Sequence, residues 1–127
     1  MASEAVPTAT DKAIAWDTEE WDDDGFWAVS PNPARVTVPV DGTYHFQGYC
    51  AFGINATGTR QLWLEVNSTT TYNKVVVQAV PSSAVTAIFT GCDLALSAGD
   101  YVNLRARHSA GSSLDVSARL QARRVSV

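Results

Sequence analysis

The strongest constraint on the fold is an alternation of apolar side chains at period two, which recurs along the chain with turn residues between the runs. Within residues 43–54, every second side chain shares one face. These side chains are Tyr44, Phe46, Gly48, Cys50 and Phe52. The same spacing puts Leu62, Leu64 and Val66 on one face of another run. Helical periodicity is almost missing, so the sequence predicts an all-β domain.

Turn residues such as Asp41-Gly42 and Ala98-Gly99-Asp100 divide the chain into short predicted strands. The predicted strands span residues 12–17, 26–29, 35–40, 43–54, 60–67, 72–80, 85–96, 101–108 and 114–125. Even spacing without helices favours a two-sheet antiparallel sandwich or jelly roll. Residues 1–11 are small and polar and contain Pro7. They predict a loose N-terminal arm that precedes a single domain at residues 12–127.

Composition excludes several classes of partner. A net charge of -4 on 127 residues argues against wrapping of nucleic acid. The opening residues have no basic stretch followed by an apolar one, so we expect no secretory signal peptide. The apolar runs are also shorter than the roughly 20 residues that a membrane span needs. We therefore expect partners other than nucleic acid or a membrane.

The residues that common enzyme sites require are missing from their usual patterns. A metal-binding cupin needs closely spaced histidines, whereas His45 and His108 stand far apart in the sequence. Neither the G-x-S-x-G turn of serine hydrolases nor a glycine-rich phosphate loop occurs. We expect a protein without catalytic residues, metal or cofactor, and a cupin-like enzyme is the weakest alternative.

Cys50 and Cys92 are too few for a disulfide framework and form no C-x-x-C zinc pattern. Because both fall inside predicted strands, two interpretations stay open at this point. They are two buried thiols or one cross-strand disulfide.

Two regions are candidates for a partner or ligand surface. Trp21, Asp22 and Asp24 lie in an acidic run that offers oxygen ligands for calcium or simply forms a solvated loop. Trp63 alternates with Leu62 and Leu64, which predicts a position on the outer face of its strand, where the ring is either exposed to a partner or packed beneath a loop.

Two motifs resemble the complement C1q domain. Pro39-Val40-Asp41-Gly42-Thr43-Tyr44-His45-Phe46 resembles the family pattern P-x-x-G-x-Y-x-F, and residues 94–104 resemble L-x-L-x-x-G-D-x-V-x-L. The aromatic and polar residues between Trp16 and Phe26 are also similar to the family's first segment. This resemblance covers roughly residues 12–125.

The resemblance implies a jelly roll of about ten strands, of the C1q and tumour-necrosis-factor type, that assembles as a homotrimer. It also implies that the strands carrying Cys50 and Cys92 are neighbours in one sheet, with both side chains toward the core. For the trimer interface, a row almost free of charge points away from the core on the strand 43–54, with side chains of the last strand beside it. The candidate interface residues are His45, Gln47, Tyr49, Arg119 and Gln121.

Members of the family with a collagen stalk or signal peptide differ from this sequence, which resembles the short stalkless domains of bacterial and bacteriophage virion proteins. We therefore expect a trimeric virion structural protein that decorates a bacteriophage capsid and binds the major capsid protein or another virion protein. The alternative is a head domain for host adhesion that binds a receptor or a host-surface glycan. Under the first hypothesis, the arm attaches the trimer and becomes ordered only on the virion.

Overall fold

The computed structural model describes residues 2–17, 33–81 and 84–126. These residues form nine strands and no helix. The strands are β1 (Ala2–Val6), β2 (Lys12–Ala13), β3 (Val36–Thr37), β4 (Gly42–Phe52), β5 (Thr59–Val66), β6 (Thr70–Gln78), β7 (Thr86–Leu96), β8 (Tyr101–His108) and β9 (Leu114–Ser126). Within this described part, no helix with the length and apolar character of a membrane span occurs. The predicted strand at residues 26–29 lies outside the described residues.

The strands pair into two antiparallel sheets. The four-stranded sheet has the order β1-β9-β4-β7. The five-stranded sheet has the order β2-β8-β5-β6, with β3 also paired to β8. Neighbours within each sheet are mostly distant in sequence, as in a jelly roll. The prediction of an all-β, two-sheet antiparallel sandwich is confirmed.

The apolar faces of both sheets form the core between them. All five alternating residues of β4, from Tyr44 to Phe52, are buried. From the other sheet, Leu62, Leu64 and Leu104 are fully buried. The sheets approach so closely at Gly48 that a Cβ there would lie 2.6 Å from Leu104 Cδ1. Period-two alternation thus predicted which side chains form the core.

The two C1q-like motifs meet at one end of the sandwich. The backbone N–H of Gly99 donates to Val38 O at 2.9 Å, and Val38 N–H donates to Asp100 O at 2.9 Å. Asp41 Oδ1 accepts from Ala98 N–H at 2.8 Å. Gly99 has a φ of 92°, a conformation that glycine adopts without strain. The glycine and aspartate of the motifs therefore close the turn between β7 and β8.

Residues 2–6 differ from the sequence prediction. Instead of a loose arm, they form β1, which pairs with β9 from Ala2↔Ala118 to Val6↔Leu114. Val6 is completely buried, and its carbonyl accepts a hydrogen bond of 2.6 Å from His108 Nε2. The expectation of a loose leader is wrong for these residues, because β9 supplies the backbone hydrogen bonds and apolar contacts that their own sequence does not indicate.

Candidate functional site

The candidate site is the outer face of the four-stranded sheet, the face directed away from the five-stranded sheet. β4 lies between β7 and β9, so each of its outward residues has a neighbour on both sides. Tyr49 lies opposite Phe89 and Arg119, while Gln47 lies opposite Gln121 on β9. The structure thus places the sequence-predicted residues Gln47, Tyr49, Arg119 and Gln121 beside one another.

Two aromatic rings and polar side chains surround a groove of about 530 Å³ on this face. The lining residues are Gln47, Gly48, Tyr49, Phe89, Ser117, Arg119 and Gln121. The ring centroids of Tyr49 and Phe89 are 5.0 Å apart, within the range of favourable aromatic pairs. Phe89 is 61% exposed, the largest fraction among the exposed large apolar side chains of the described residues. Its exposure makes this face the strongest candidate for contact with a partner.

The charged residues of the outer face are unevenly distributed. His45 Nδ1 lies 2.7 Å from Asp93 Oδ1, and both side chains are accessible to solvent. His45 also lies opposite Arg123 in the register between β4 and β9. Arg119, two residues before Gln121 on β9, takes part in none of the ion pairs formed by the described residues. Arg123 forms none of these ion pairs either, so among the described residues the face carries two arginines without an ion-pair partner, of which Arg119 lines the groove.

Trp63 is not available as a binding platform. Its strand position is outward as predicted, opposite Arg105 on β8, but only 2% of it is exposed. Lys74 Nζ lies 4.2 Å from the centre of the indole ring, in a cation–π contact. Of the two possibilities for Trp63, the exposed one is wrong, because β6 places Lys74 over the ring where the register between β5 and β6 shifts. Trp21, Asp22 and Asp24 lie outside the described residues.

Of the two interpretations left open for the cysteines, the structure has two free thiols and not the disulfide. β4 and β7 are neighbours, and Cys50 and Cys92 both contact the core, as expected. However, Cys50 lies opposite Ile88, whereas Cys92 lies opposite Phe46. This register separates the two cysteines by about 13 Å along the strands, beyond the ~7 Å that a disulfide spans. Both thiols are free.

Two buried polar side chains were not singled out from the sequence. Arg60 is 0% exposed and donates to the carbonyl oxygens of Asn55 at 2.7 Å and Thr57 at 2.8 Å. Burial lowers the pKa of the Arg60 guanidinium from its ordinary value. His108 is also fully buried, with Nε2 donating to Val6 and Nδ1 accepting from Ala110 N–H. Arg60 alternates with Leu62 and Leu64, and this spacing was the sequence signal that could have indicated its burial. Both residues hold backbone segments in place.

The described residues also offer few groups for chemistry. Among them, no three His, Cys, Asp or Glu side chains come together in a way that could hold a metal ion. The one histidine on the outer face, His45, contacts a carboxylate but no serine or cysteine nucleophile in any hydrogen bond of the described part. The geometry of this face favours contact with another molecule.

The fold is similar to a known one. The globular domain of the zebrafish complement 1qA protein superimposes with a TM-score of 0.64, and the match covers 98% of each chain at 15% sequence identity. The chain has a C1q-like fold. No protein-family model matches the sequence, and comparison with curated proteins finds no match. The two motifs that resemble C1q sequence patterns therefore occur in a domain whose whole fold is also similar to C1q.

Proposed function

We propose that this protein is a subunit of a homotrimer that acts by presenting binding surfaces, and that the outer face of the four-stranded sheet is its subunit interface. The observation that supports this proposal most directly is the exposed Phe89 ring beside Tyr49. Burying a phenylalanine side chain contributes about 1.5–3 kcal/mol. Aromatic anchors of this kind are enriched at the centres of protein interfaces.

Apart from Arg119, the residues that line the groove are uncharged, as at the core of an interface. Gln47, Tyr49 and Ser117 are uncharged, and none of them would leave an unpaired charge when covered. Gln and Ser side chains can also donate and accept hydrogen bonds across an interface. In a cyclic trimer this groove would meet a different surface of the next copy, because contacts around a threefold axis are heterologous.

Light scattering at micromolar concentration tests the trimer. We expect three times the mass of one chain for the native protein and a shift toward monomer for Phe89→Asp, which places a charge in the contact. Ile54→Asp is the matched control, since Ile54 is 59% exposed but lies in the loop after β4. Native protein that stays monomeric refutes the proposal, and so does dissociation of both variants alike.

C1q-like domains are generally binding or structural modules. We propose the same for this protein, with no catalytic role. The two histidines serve other contacts. His108 is buried with both ring nitrogens hydrogen-bonded, and His45 contacts Asp93 on the open face.

The finer proposal is that the trimer decorates a bacteriophage capsid. It is supported by the resemblance of the sequence to the short C1q-like domains of virion proteins. Because residues 2–6 belong to the sheet, attachment through a loose arm of eleven residues is not part of this proposal. Mixing the purified protein with capsids that lack it should give saturable binding visible as trimer-sized density. Binding to host-cell glycans, with no binding to capsids, would instead support the adhesion alternative.

A further inference from the structure

The uncompensated charge of Arg119 indicates a ligand for the groove. Arg119 is exposed in the single subunit, where water solvates its guanidinium group. In the proposed trimer the same group would lose that water. A buried arginine without a counter-charge is costly, so the assembled state requires a negative group next to it.

Among residues 2–17, 33–81 and 84–126, the subunit itself does not supply this group. Two described acidic residues on the outer face lie closest to the groove along the strands. They are Asp115, four positions before Arg119, and Asp93, four positions after Phe89. Four positions correspond to about 13 Å between Cα atoms along a strand, and neither carboxylate forms an ion pair with Arg119. Asp93 is moreover already in contact with His45.

The neighbours of Arg119 in the groove are hydrogen-bond donors rather than acids. Gln47, Gln121 and Ser117 line the groove together with Arg119. Their amide N–H and hydroxyl groups can donate to an oxyanion, and the guanidinium group can form a bidentate contact with phosphate, sulfate or carboxylate oxygens. A groove of this volume is large enough for a small ligand.

We propose that the groove binds a small oxyanion at Arg119 and that this binding is linked to assembly of the trimer. The inference rests on the proposed trimer, since only burial makes the counter-charge necessary. A ligand that binds the assembled state more tightly than the free subunit shifts the equilibrium toward assembly. The trimer should therefore form at a lower protein concentration when an oxyanion is present.

Sedimentation equilibrium with inorganic phosphate as the probe tests this linkage. The native protein and Arg119→Gln are compared in chloride buffer with and without about 10 mM phosphate at constant ionic strength. For the native protein, we expect phosphate to lower the protein concentration at which half of the chains are assembled by about ten-fold. Arg119→Gln should assemble at the same concentration in both buffers. Arg107→Gln is the matched control, because Arg107 lies on β8 and pairs with Asp11. It should keep the native response.

The possible outcomes separate the two proposals. If the native trimer forms but does not respond to phosphate, the oxyanion site is refuted while the trimer stands. If in addition Arg119→Gln weakens assembly, the counter-charge comes from a carboxylate of the neighbouring copy. An equal phosphate response in all three proteins also refutes the site. A monomer under every condition refutes both proposals.

Discussion

Ala9 adopts a backbone conformation that favours glycine. Its φ is 53°, in the left-handed region where a Cβ atom crowds the following carbonyl. The side chain is exposed, and the backbone N–H donates to His108 O at 2.7 Å, a contact that glycine would keep. We expect Ala9→Gly to stabilise the protein by about 0.5–1 kcal/mol, because the relief of strain exceeds the entropy that glycine adds to the unfolded chain.

Urea denaturation measures this change in the free energy of unfolding. Ala98→Gly is the control, since Ala98 is an exposed turn residue without a positive φ. Glycine there should destabilise by about 0.5–1 kcal/mol. Destabilisation by both substitutions would contradict the strain at Ala9.

The thiol of Cys50 links stability to alkaline pH. Burial, followed by the nearby charge of Glu4, raises the pKa of this thiol from its ordinary value of 9.0 to about 12. Between these values the unfolded chain releases a proton that the folded chain keeps. Stability is therefore full below about pH 9 and falls as pH rises, by about 1.4 kcal/mol per pH unit for this group.

The comparison with Cys50→Ala isolates this contribution from that of tyrosine ionisation. The free energy of unfolding should fall less steeply above pH 9 in the variant than in the native protein. In the native protein, Cys50 should also react with a thiol reagent only after unfolding, and later than the partly exposed Cys92. Identical slopes for both proteins would show that Cys50 ionises equally easily in the folded state.

At the scale of elements, alternation predicted the strands whose own side chains form the core. β4, β5, β8 and β9 all carry apolar residues at every second position, and their observed bounds lie within two residues of the predicted ones. β1 has only one large apolar residue, Val6, so its pairing depends on β9 rather than on its own pattern.

The sequence did not predict the register between strands or which outward side chains are covered by other residues. Alternation places Cys50 and Cys92 on the core face but does not tell which residues of β4 and β7 lie opposite each other. It likewise places Trp63 on the outer face but does not reveal that Lys74 covers the ring. Both depend on contacts between strands that are distant in sequence. The grouping of Gln47, Tyr49, Arg119 and Gln121, in contrast, followed from alternation and the order of strands in the resembling family.

β1 should contribute measurably to stability if it is an integral strand. Val6→Ala removes two buried methyl groups from a position with 0% exposure, and we expect a loss of about 2 kcal/mol in the free energy of unfolding. Val40→Ala is the matched control, since Val40 is 45% exposed. It should change stability by no more than about 0.5 kcal/mol. Equal, small effects in urea denaturation would show that residues 2–6 do not pack on β9 in solution.

At the scale of the whole molecule, the two sheets leave very different surfaces. The outer face of the five-stranded sheet is partly covered, since Asn103 Nδ2 donates to Ala34 O and Arg35 lies 4.0 Å from the centre of the Tyr101 ring. The outer face of the four-stranded sheet instead exposes the Phe89 ring beside Tyr49, whereas the five-stranded sheet exposes the smaller Val76 on its edge strand β6. This asymmetry is the reason that assembly is proposed through the four-stranded sheet.

Assembly through this face should make thermal stability depend on protein concentration. For a trimer that unfolds to three separate chains, a hundredfold increase in concentration adds roughly 1.8 kcal/mol per chain to the free energy of unfolding. For a domain of this size, that corresponds to an increase in Tm of about 5–10 °C. Calorimetry over this concentration range should show the increase for the native protein and for Ile54→Asp. Phe89→Asp should unfold at one temperature throughout, because a folded monomer has no concentration term. A native Tm that is independent of concentration would mean either that the subunits separate before they unfold or that they never associate. A monomeric mass in light scattering would show that they never associate.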